Sequence, residues 1–202
     1  MKFAVVILAA GASTRMGRPK LLLPWREGTV LAHLVATWGK LGAARIAVVV
    51  PPESEALAGE LDRLGVPASD RIENPHPQRG MFSSVRCAAQ RKDWPPALTH
   101  FLLTLGDQPH VIAETLRALL DFAVEHPDRI CQPARAGRPR HPVLLPHDVF
   151  LELAETSAEN LKQFLLARES RRATFESGDD GLDFDLDEPA DYERALRTVK
   201  AR

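Results

Sequence analysis

Unbroken apolar runs alternate along the chain with segments whose apolar positions recur every three or four residues. Phe3 to Ala10 is apolar throughout. It predicts a strand covered on both faces, as strands of parallel sheets are. Val30 to Leu41 follows, with Leu31, Leu34, Val35, Trp38 and Leu41 at helical spacing. Ile46 to Val50 predicts a second buried strand, stopped by Pro51 and Pro52, and Glu53 to Leu64 an amphipathic helix. Ile72 falls in a short strand ahead of an irregular loop, Asn74-Pro75-His76-Pro77. Met81 to Gln90 reads as a helix and Phe101 to Leu105 as a third buried strand. Ile112 to Val124 is strongly periodic, with Ile112, Leu116, Leu119, Leu120 and Ala123 on one face. Beyond it the pattern weakens. Arg129 to Pro133 and Val143 to Leu145 are candidate short strands around a basic turn, Arg135 to His141. A helix pair spans His147 to Arg168, edge strands are expected at Thr174 to Glu176 and Phe184 to Leu186, and Ala190 to Val199 forms a closing helix.

Strands alternating with helices predict an α/β fold. It is a three-layer α/β/α sandwich around a mostly parallel, Rossmann-like sheet, in a single domain over residues 1–202. Ligands of such sheets bind beyond the carboxyl ends of the strands. That rule directs attention to the loop after Ala10, the loop after Leu105, and whatever segments fold over them.

Composition narrows the function. Of the 202 residues 45% are apolar, enough for a substantial core, and the net charge is −1. A nucleic-acid binder would carry a basic excess, and nothing calls for a membrane partner. No stretch approaches the roughly 20 apolar residues of a membrane span. The opening MKFAVVILAA runs into a glycine-rich turn rather than a cleavage site, so it reads as the first buried strand and not as a signal peptide. Cys87 and Cys131 have no metal-site spacing, and so few thiols suggest a reducing, cytoplasmic setting. The seven histidines include no pair at helical metal spacing, which argues against a zinc enzyme.

Five segments carry candidate chemistry. Leu8-Ala9-Ala10-Gly11-Ala12-Ser13-Thr14-Arg15-Met16-Gly17-Arg18-Pro19-Lys20 is a glycine-rich turn at a strand end. Its amides can cradle phosphate oxygens, and Arg15, Arg18 and Lys20 add positive charge. The glycine spacing fits neither the dinucleotide fingerprint nor the P-loop, since Arg18 follows Gly17. Asp107 stands just past a buried strand, placed either to bind Mg²⁺ or to form the turn before Val111. Asp185 and Asp187 alternate onto one side of an acidic segment, and Asp191 is positioned to help the last helix begin. Gly80 to Val85 brings small residues and hydroxyls to a helix start, where Ser83 and Ser84 either approach a base or ribose or cap the helix. Arg138-Pro139-Arg140-His141-Pro142 can receive an anion or remain a solvated basic loop.

The block LAAGASTRMGRPK resembles the signature loop of the GT-A-like nucleotidyltransferases, and within that superfamily the chain most resembles the molybdenum cofactor cytidylyltransferases. The likeness continues in order through Leu21-Leu22-Leu23-Pro24-Trp25, Asn74-Pro75, Gly80-Met81-Phe82-Ser83-Ser84-Val85, Leu105-Gly106-Asp107-Gln108-Pro109, His141-Pro142-Val143 and Asp185-Leu186-Asp187-Glu188-Pro189-Ala190-Asp191. The resemblance implies that Leu8, Ala9, Ala10, Gly11 and Ser13 surround the triphosphate while Arg15 and Lys20 neutralise it. It implies that Asn74, Gly80, Ser83 and Ser84 serve the nucleotide, and that Arg140 and His141 serve the acceptor. Asp107 and Asp187 become the ligands of Mg²⁺, with Mn²⁺ as the substitute. Two departures are visible: Glu188 replaces the family's usual Thr, and Arg140 stands where Gly commonly precedes His-Pro.

The implied reaction is attack by an acceptor phosphate on the α-phosphorus of an NTP, which needs no strong base because a phosphate monoester is already ionised near neutrality. Catalysis is then positioning and charge neutralisation by Arg15, Lys20 and the Asp107 metal site. Ala9-Ala10-Gly11 resembles the CTP-using branch, whereas guanylyl-transferring relatives carry a second Gly there. The implied acceptor is molybdopterin carrying molybdenum, with the cytosine dinucleotide product passing to a molybdenum hydroxylase. A sugar- or polyol-phosphate nucleotidyltransferase and a non-catalytic nucleotide-binding accessory protein remain the alternatives.

Overall fold

In the computed structural model, which describes residues 1–200, the chain lays down β1 (Phe3–Leu8), a small hairpin of β2 (Pro24–Trp25) and β3 (Gly28–Thr29), then α1 (Val30–Lys40). β4 (Arg45–Val50), α2 (Glu55–Arg63), β5 (Arg71–Glu73) and α3 (Met81–Gln90) follow. β6 (His100–Leu105), α4 (Ala113–Glu125), β7 (Ile130–Arg135), β8 (Arg138–Pro139) and β9 (Val143–Pro146) come next. The chain closes with α5 (His147–Glu152), α6 (Leu161–Leu166), β10 (Arg172–Glu176) and α7 (Pro189–Lys200).

The sheet runs β10-β7-β9-β6-β1-β4-β5, with β8 hairpinned onto β7. β6, β1, β4 and β5 are mutually parallel, as is the β10–β7 pair. β9 runs antiparallel between β6 and β7. Every residue of β1 is buried, and alternation sorts them onto two cores. Phe3, Val5, Ile7 and Ala9 face a core closed by Leu31, Leu34 and Trp38 of α1, Leu116 and Leu119 of α4 and Tyr192 of α7. Ala4, Val6, Leu8 and Ala10 face a core closed by Phe82 and Val85 of α3, Phe150 of α5 and Phe164 of α6. The three-layer expectation from the apolar runs therefore holds. The reason is the one that made those runs legible: a strand covered on both faces has no polar side.

The differences are local. Phe184 to Leu186 forms no strand. Phe184 is extended (φ −147°, ψ 155°), but the segment takes its hydrogen bonds one at a time from the β6 end of the sheet. The Leu186 amide donates to the Asp107 carbonyl at 3.0 Å, and the Phe184 carbonyl lies 2.9 Å from His110 Nε2. The period-two pattern reported an extended conformation, and the partner that would have made it a strand is absent there. β2, β3 and β8 lie outside the elements expected from the sequence because each spans only two residues, too few for a periodic pattern. The β7–β8 turn puts Ala136 (φ 49°) and Gly137 (φ 71°) in the left-handed region that tight hairpins require.

Register decides where the functional loops emerge. Leu8 pairs with Leu105 of β6 and with Val49 of β4, so these strands end level. After β5 the chain crosses back to place β6 on the other side of β1. The strand order therefore reverses at β1, opening a crevice at the carboxyl ends of β1 and β6. Gly106 extends this pairing, donating its amide to the Leu8 carbonyl at 3.1 Å. A Cβ on Gly106 would lie 2.9 Å from that same carbonyl oxygen and 2.9 Å from Leu21 Cδ2. The leucine tip can move, but the carbonyl is held by the sheet. Gly106→Ala is accordingly expected to cost about 1–3 kcal/mol in denaturant unfolding and to shift Asp107, the next residue; a variant with wild-type stability would show that the strand ends are looser than this register implies.

Candidate active site

Three distant segments meet at the crevice. The first is the turn after β1. Met16 is buried and pins the turn to the core, while Gly11 and Ala12 are exposed. Ser13 (φ 51°) and Gly17 (φ 70°) adopt the left-handed conformation, and the Ser13 hydroxyl accepts from the Lys20 amide at 3.3 Å. Among the described residues, the amides of Gly11, Ala12 and Ser13 donate to no backbone carbonyl. Such a run of unspent donors at a strand end is suited to an anion.

The second segment is Gly106-Asp107-Gln108, set by the end of β6. The third is the strap Phe184 to Asp187, tied to it by the Leu186 bond. The strap also receives Gln108 Nε2, which donates to Asp185 Oδ1 at 2.8 Å, and the His110 ring stacks on Phe184 at 4.0 Å between centroids. Asp191 completes the strap. Its Oδ2 accepts from the amides of Asp187 (3.2 Å) and Glu188 (2.9 Å), which begins α7 as the sequence suggested.

Lys20 joins all three. Its Nζ lies 3.1 Å from Asp107 Oδ2 and 2.7 Å from Asp187 Oδ1. Arg15 reaches the other oxygen of Asp187 at 2.8 Å from a side chain that is 65% exposed, so it sits at the mouth of the crevice and not in its wall. Burial alone would lower the Lys20 pKa, but the hydrogen bond it donates to Asp187 and the charge of Asp107 outweigh it and hold the ammonium charged. Asp187 is kept below the usual carboxylate range by its hydrogen bond from Lys20 and the nearby charges of Lys20 and Arg15. Asp185 moves the other way: burial, then the like charges of Asp107 and Asp187, push its carboxyl up against the help of Gln108.

Two carboxylates converging on one cationic nitrogen are a donor set that suits magnesium or manganese, hard ions that take oxygen ligands. Among the described residues no three His, Cys, Asp or Glu side chains come together as a metal cluster. The fit is therefore to an ion that takes one or two protein carboxylates and fills its remaining positions from phosphate and water.

Of the residues singled out from sequence, Leu8, Ala9, Gly11, Ser13, Lys20 and Asp107 line one part of the crevice. Ala10, Gly80, Ser84 and Asp185 join Leu8, Gly11 and Asp107 around its adjoining part. Asn74 lies beneath the wall, only 1% exposed, where its Nδ2 donates to Ser83 Oγ (2.8 Å) and Ser84 Oγ (2.9 Å) while its Oδ1 accepts from the His76 amide. Ser83 donates to backbone carbonyls of His76 and Gly80. Neither serine caps α3, whose N-cap is Gly80 at φ 85°, a conformation glycine tolerates. Arg140 and His141 line a separate cleft on the far side of Met81. Arg140 pairs with Asp183 at 2.8 Å, and burial holds the His141 pKa below the ordinary imidazole value despite a hydrogen bond to the Leu103 carbonyl. Gly106 and Gln108 had no role assigned from sequence, although both lie inside the quoted Gly-Asp-Gln-Pro block; the close approach and the bond to Asp185 that give them one exist only in three dimensions.

A switch-point crevice with an amide-rich turn, a buried-edge lysine and paired aspartates, on this layered sheet, defines a nucleotidyltransferase of the GT-A-like class. The chain matches the MobA-like NTP transferase domain over residues 5–173 and belongs to that family. It is 26% identical over 190 residues to the molybdenum cofactor cytidylyltransferase of Escherichia coli K12, covering 93% of this chain and 92% of that one. It resembles the crystal structure of Rv0371c from Mycobacterium tuberculosis H37Rv with a TM-score of 0.71 and 28% identity over 98% of both chains. A manganese complex of that protein aligns with a TM-score of 0.66 and 26% identity over 98% of this chain and 99% of the other. Among the described residues no helix is long and apolar enough to cross a membrane.

The Asp185 environment generates a pH-dependent expectation. A carboxyl whose folded pKa is raised costs stability when ionised, and that cost disappears once pH falls below its unfolded pKa. Asp185→Asn, which keeps an oxygen for Gln108, should raise the melting temperature of the metal-free protein near neutrality. The gain should shrink as pH drops through the Asp185 titration. A gain that persisted unchanged into acid would trace it to something other than charge.

Proposed function

We propose that the protein transfers CMP from CTP to the phosphate of molybdopterin-bound molybdenum cofactor, releasing pyrophosphate and forming the cytosine dinucleotide form. The observation that carries this reading is the position of Lys20 between Asp107 and Asp187 at the switch-point crevice, beside a turn whose amides are unspent. The turn receives the triphosphate, with Arg15 and Lys20 countering its charge. Asp107 and Asp187 would hold Mg²⁺ or Mn²⁺, which would supply charge neutralisation for the phosphates. The donor set and the manganese complex of a 26%-identical protein support such an ion.

An acceptor phosphate oxygen attacks the α-phosphorus; a new P–O bond forms as the bond to the β-phosphate oxygen breaks, and pyrophosphate leaves with its electron pair. No protein base takes part because the attacking oxygen is already ionised. What the chain supplies is alignment and a low-mobility field of opposite charge, which is where phosphoryl-type transfers gain most of their rate. Asn74 acts by holding Ser83 and Ser84, and through them the α3 start, against the crevice. Preference for CTP is supported by Ala10 at the crevice, where guanylyl-transferring relatives carry Gly, and by the relationship to the Escherichia coli cytidylyltransferase across nearly the whole chain. The product is suited to delivery into a molybdenum hydroxylase, and the setting is cytoplasmic on this reading.

Asp107→Ala should leave the melting temperature nearly unchanged, since Asp187 still partners Lys20, while pyrophosphate release from CTP with molybdenum-loaded molybdopterin falls about 100-fold or more. ATP, GTP and UTP should be poor donors in the same assay, and EDTA should abolish release until Mg²⁺ or Mn²⁺ is restored. Normal turnover by the variant would remove Asp107 from the metal site. Equal use of GTP would remove the cytidine assignment.

A further inference from the structure

Asp187 has both carboxylate oxygens engaged by cations, with Lys20 Nζ 2.7 Å from Oδ1 and Arg15 2.8 Å from Oδ2. The same Nζ lies 3.1 Å from Asp107 Oδ2. Lys20 therefore touches one oxygen of each aspartate, and a divalent ion bridging those two oxygens needs the room that the ammonium fills. Mg²⁺ takes its oxygen ligands at about 2.0–2.1 Å in near-octahedral order. It cannot enter between these oxygens with the ammonium in place, and the like charges repel. The two cations are held differently. The Arg15 side chain is 65% exposed and that of Lys20 only 14%. The Lys20 backbone is fixed: its amide donates to the Ser13 hydroxyl at 3.3 Å, and Leu21 and Leu23 beyond it are buried. Only the flexible four-carbon stem is left to turn. Lys20 lines one part of the crevice together with Gly11 and Ser13, so a turn of that stem carries the ammonium from the aspartates to a phosphate seated on the amides.

We infer that Lys20 is a built-in counter-ion: without nucleotide its ammonium holds the place of the divalent ion on Asp107 and Asp187, and a triphosphate opens that place by drawing the ammonium onto itself. The inference rests on the nucleotidyl-transfer reading and adds to it how the metal is admitted. An ion that arrives without phosphate meets a pair of carboxylates already neutralised and has a cation to displace. An ion that arrives with the triphosphate, or after it, finds the two oxygens released. Each contact is exchanged for another between opposite charges, ammonium for metal on the carboxylates and carboxylate for phosphate on the ammonium. Neither the aspartates nor the lysine is left without a counter-charge at any stage, which is what a partly buried charge requires. By linkage, whatever factor the nucleotide adds to the affinity for the ion, the ion adds to the affinity for the nucleotide.

The test is Mn²⁺ titration of the full-length, nucleotide-free protein, with free ion counted by electron paramagnetic resonance. Lys20→Met should bind Mn²⁺ about tenfold or more tightly than the wild type, and Lys20→Arg, which keeps the charge, should stay within about threefold of it. Arg15→Met removes the same unit of charge from the outer oxygen of Asp187 and should gain less than about threefold. Adding Asp107→Ala to Lys20→Met should abolish the gain. Wild-type affinity in Lys20→Met overturns the inference, as does a gain that survives Asp107→Ala or an equal gain in Arg15→Met. Lys20→Gln, neutral but polar, carries the decision if a thermal melt shows that Lys20→Met folds poorly. Pyrophosphate release by the wild type from CTP and molybdenum-loaded molybdopterin separates the two claims. Release alongside unchanged Mn²⁺ binding in Lys20→Met sinks the counter-ion and leaves the reaction standing. Tighter Mn²⁺ binding in Lys20→Met without release by the wild type does the reverse.

Discussion

The position of one ammonium group organises this protein's chemistry. Lys20 Nζ sits between Asp107 and Asp187, residues 87 and 167 positions away in the chain, and so joins the turn after β1, the end of β6 and the strap before α7. Partly exposed ion pairs contribute only about 0–1 kcal/mol to stability, so the triad is a poor explanation of why the fold holds. Its value lies in geometry. Two carboxylates that would repel each other are kept close by one shared ammonium at the mouth of the switch-point crevice.

Strand register, apolar anchors and a few polar side chains fix this place. The level ends of β1 and β6, the amide of Gly106 on Leu8 and the buried anchor Met16 set the turn; Asn74 and the two serines set the α3 wall. The strap has no sheet partner and is held by the Leu186 amide, Gln108 and the His110–Phe184 stack. Met81 borders both this crevice and a second cleft, whose lining joins the apolar Val143, Leu161 and Leu165 to the basic Arg138, Arg140, Lys162 and Arg172.

Much of this was legible in the chain. Buried strands and amphipathic helices announced the layered sheet because strand and helix periodicities differ and both faces of β1 are covered. The glycine turn with its basic residues, Asp107 and Asp187 were visible as residues whose chemistry suited a nucleotide and a cation. Where the reading strayed, a long-range partner decided the outcome. Phe184 to Leu186 has a strand's conformation and no neighbouring strand. For Ser83 and Ser84 the chain left contact with the nucleotide and capping both open; neither caps α3, and Asn74 donates to both hydroxyls. Arg140 and His141, expected to serve the acceptor, line a different cleft from the phosphate turn.

The sequence by itself determined the layers, the family and the inventory of charged groups, because hydrophobic period and contiguous motifs are local properties of a chain. Only the tertiary structure decided which of those charges face one another. A carboxylate at 107 and another at 187 acquire a common function through the reversal of strand order at β1 and the packing of α7. The fit of Gly106 against Leu8, the partnering of Gln108 with Asp185 and the meeting of apolar and basic residues in the second cleft belong to that same class of facts. Each depends on distances between segments far apart in the chain, and burial of side chains against the sheet, not the order of residues, sets those distances.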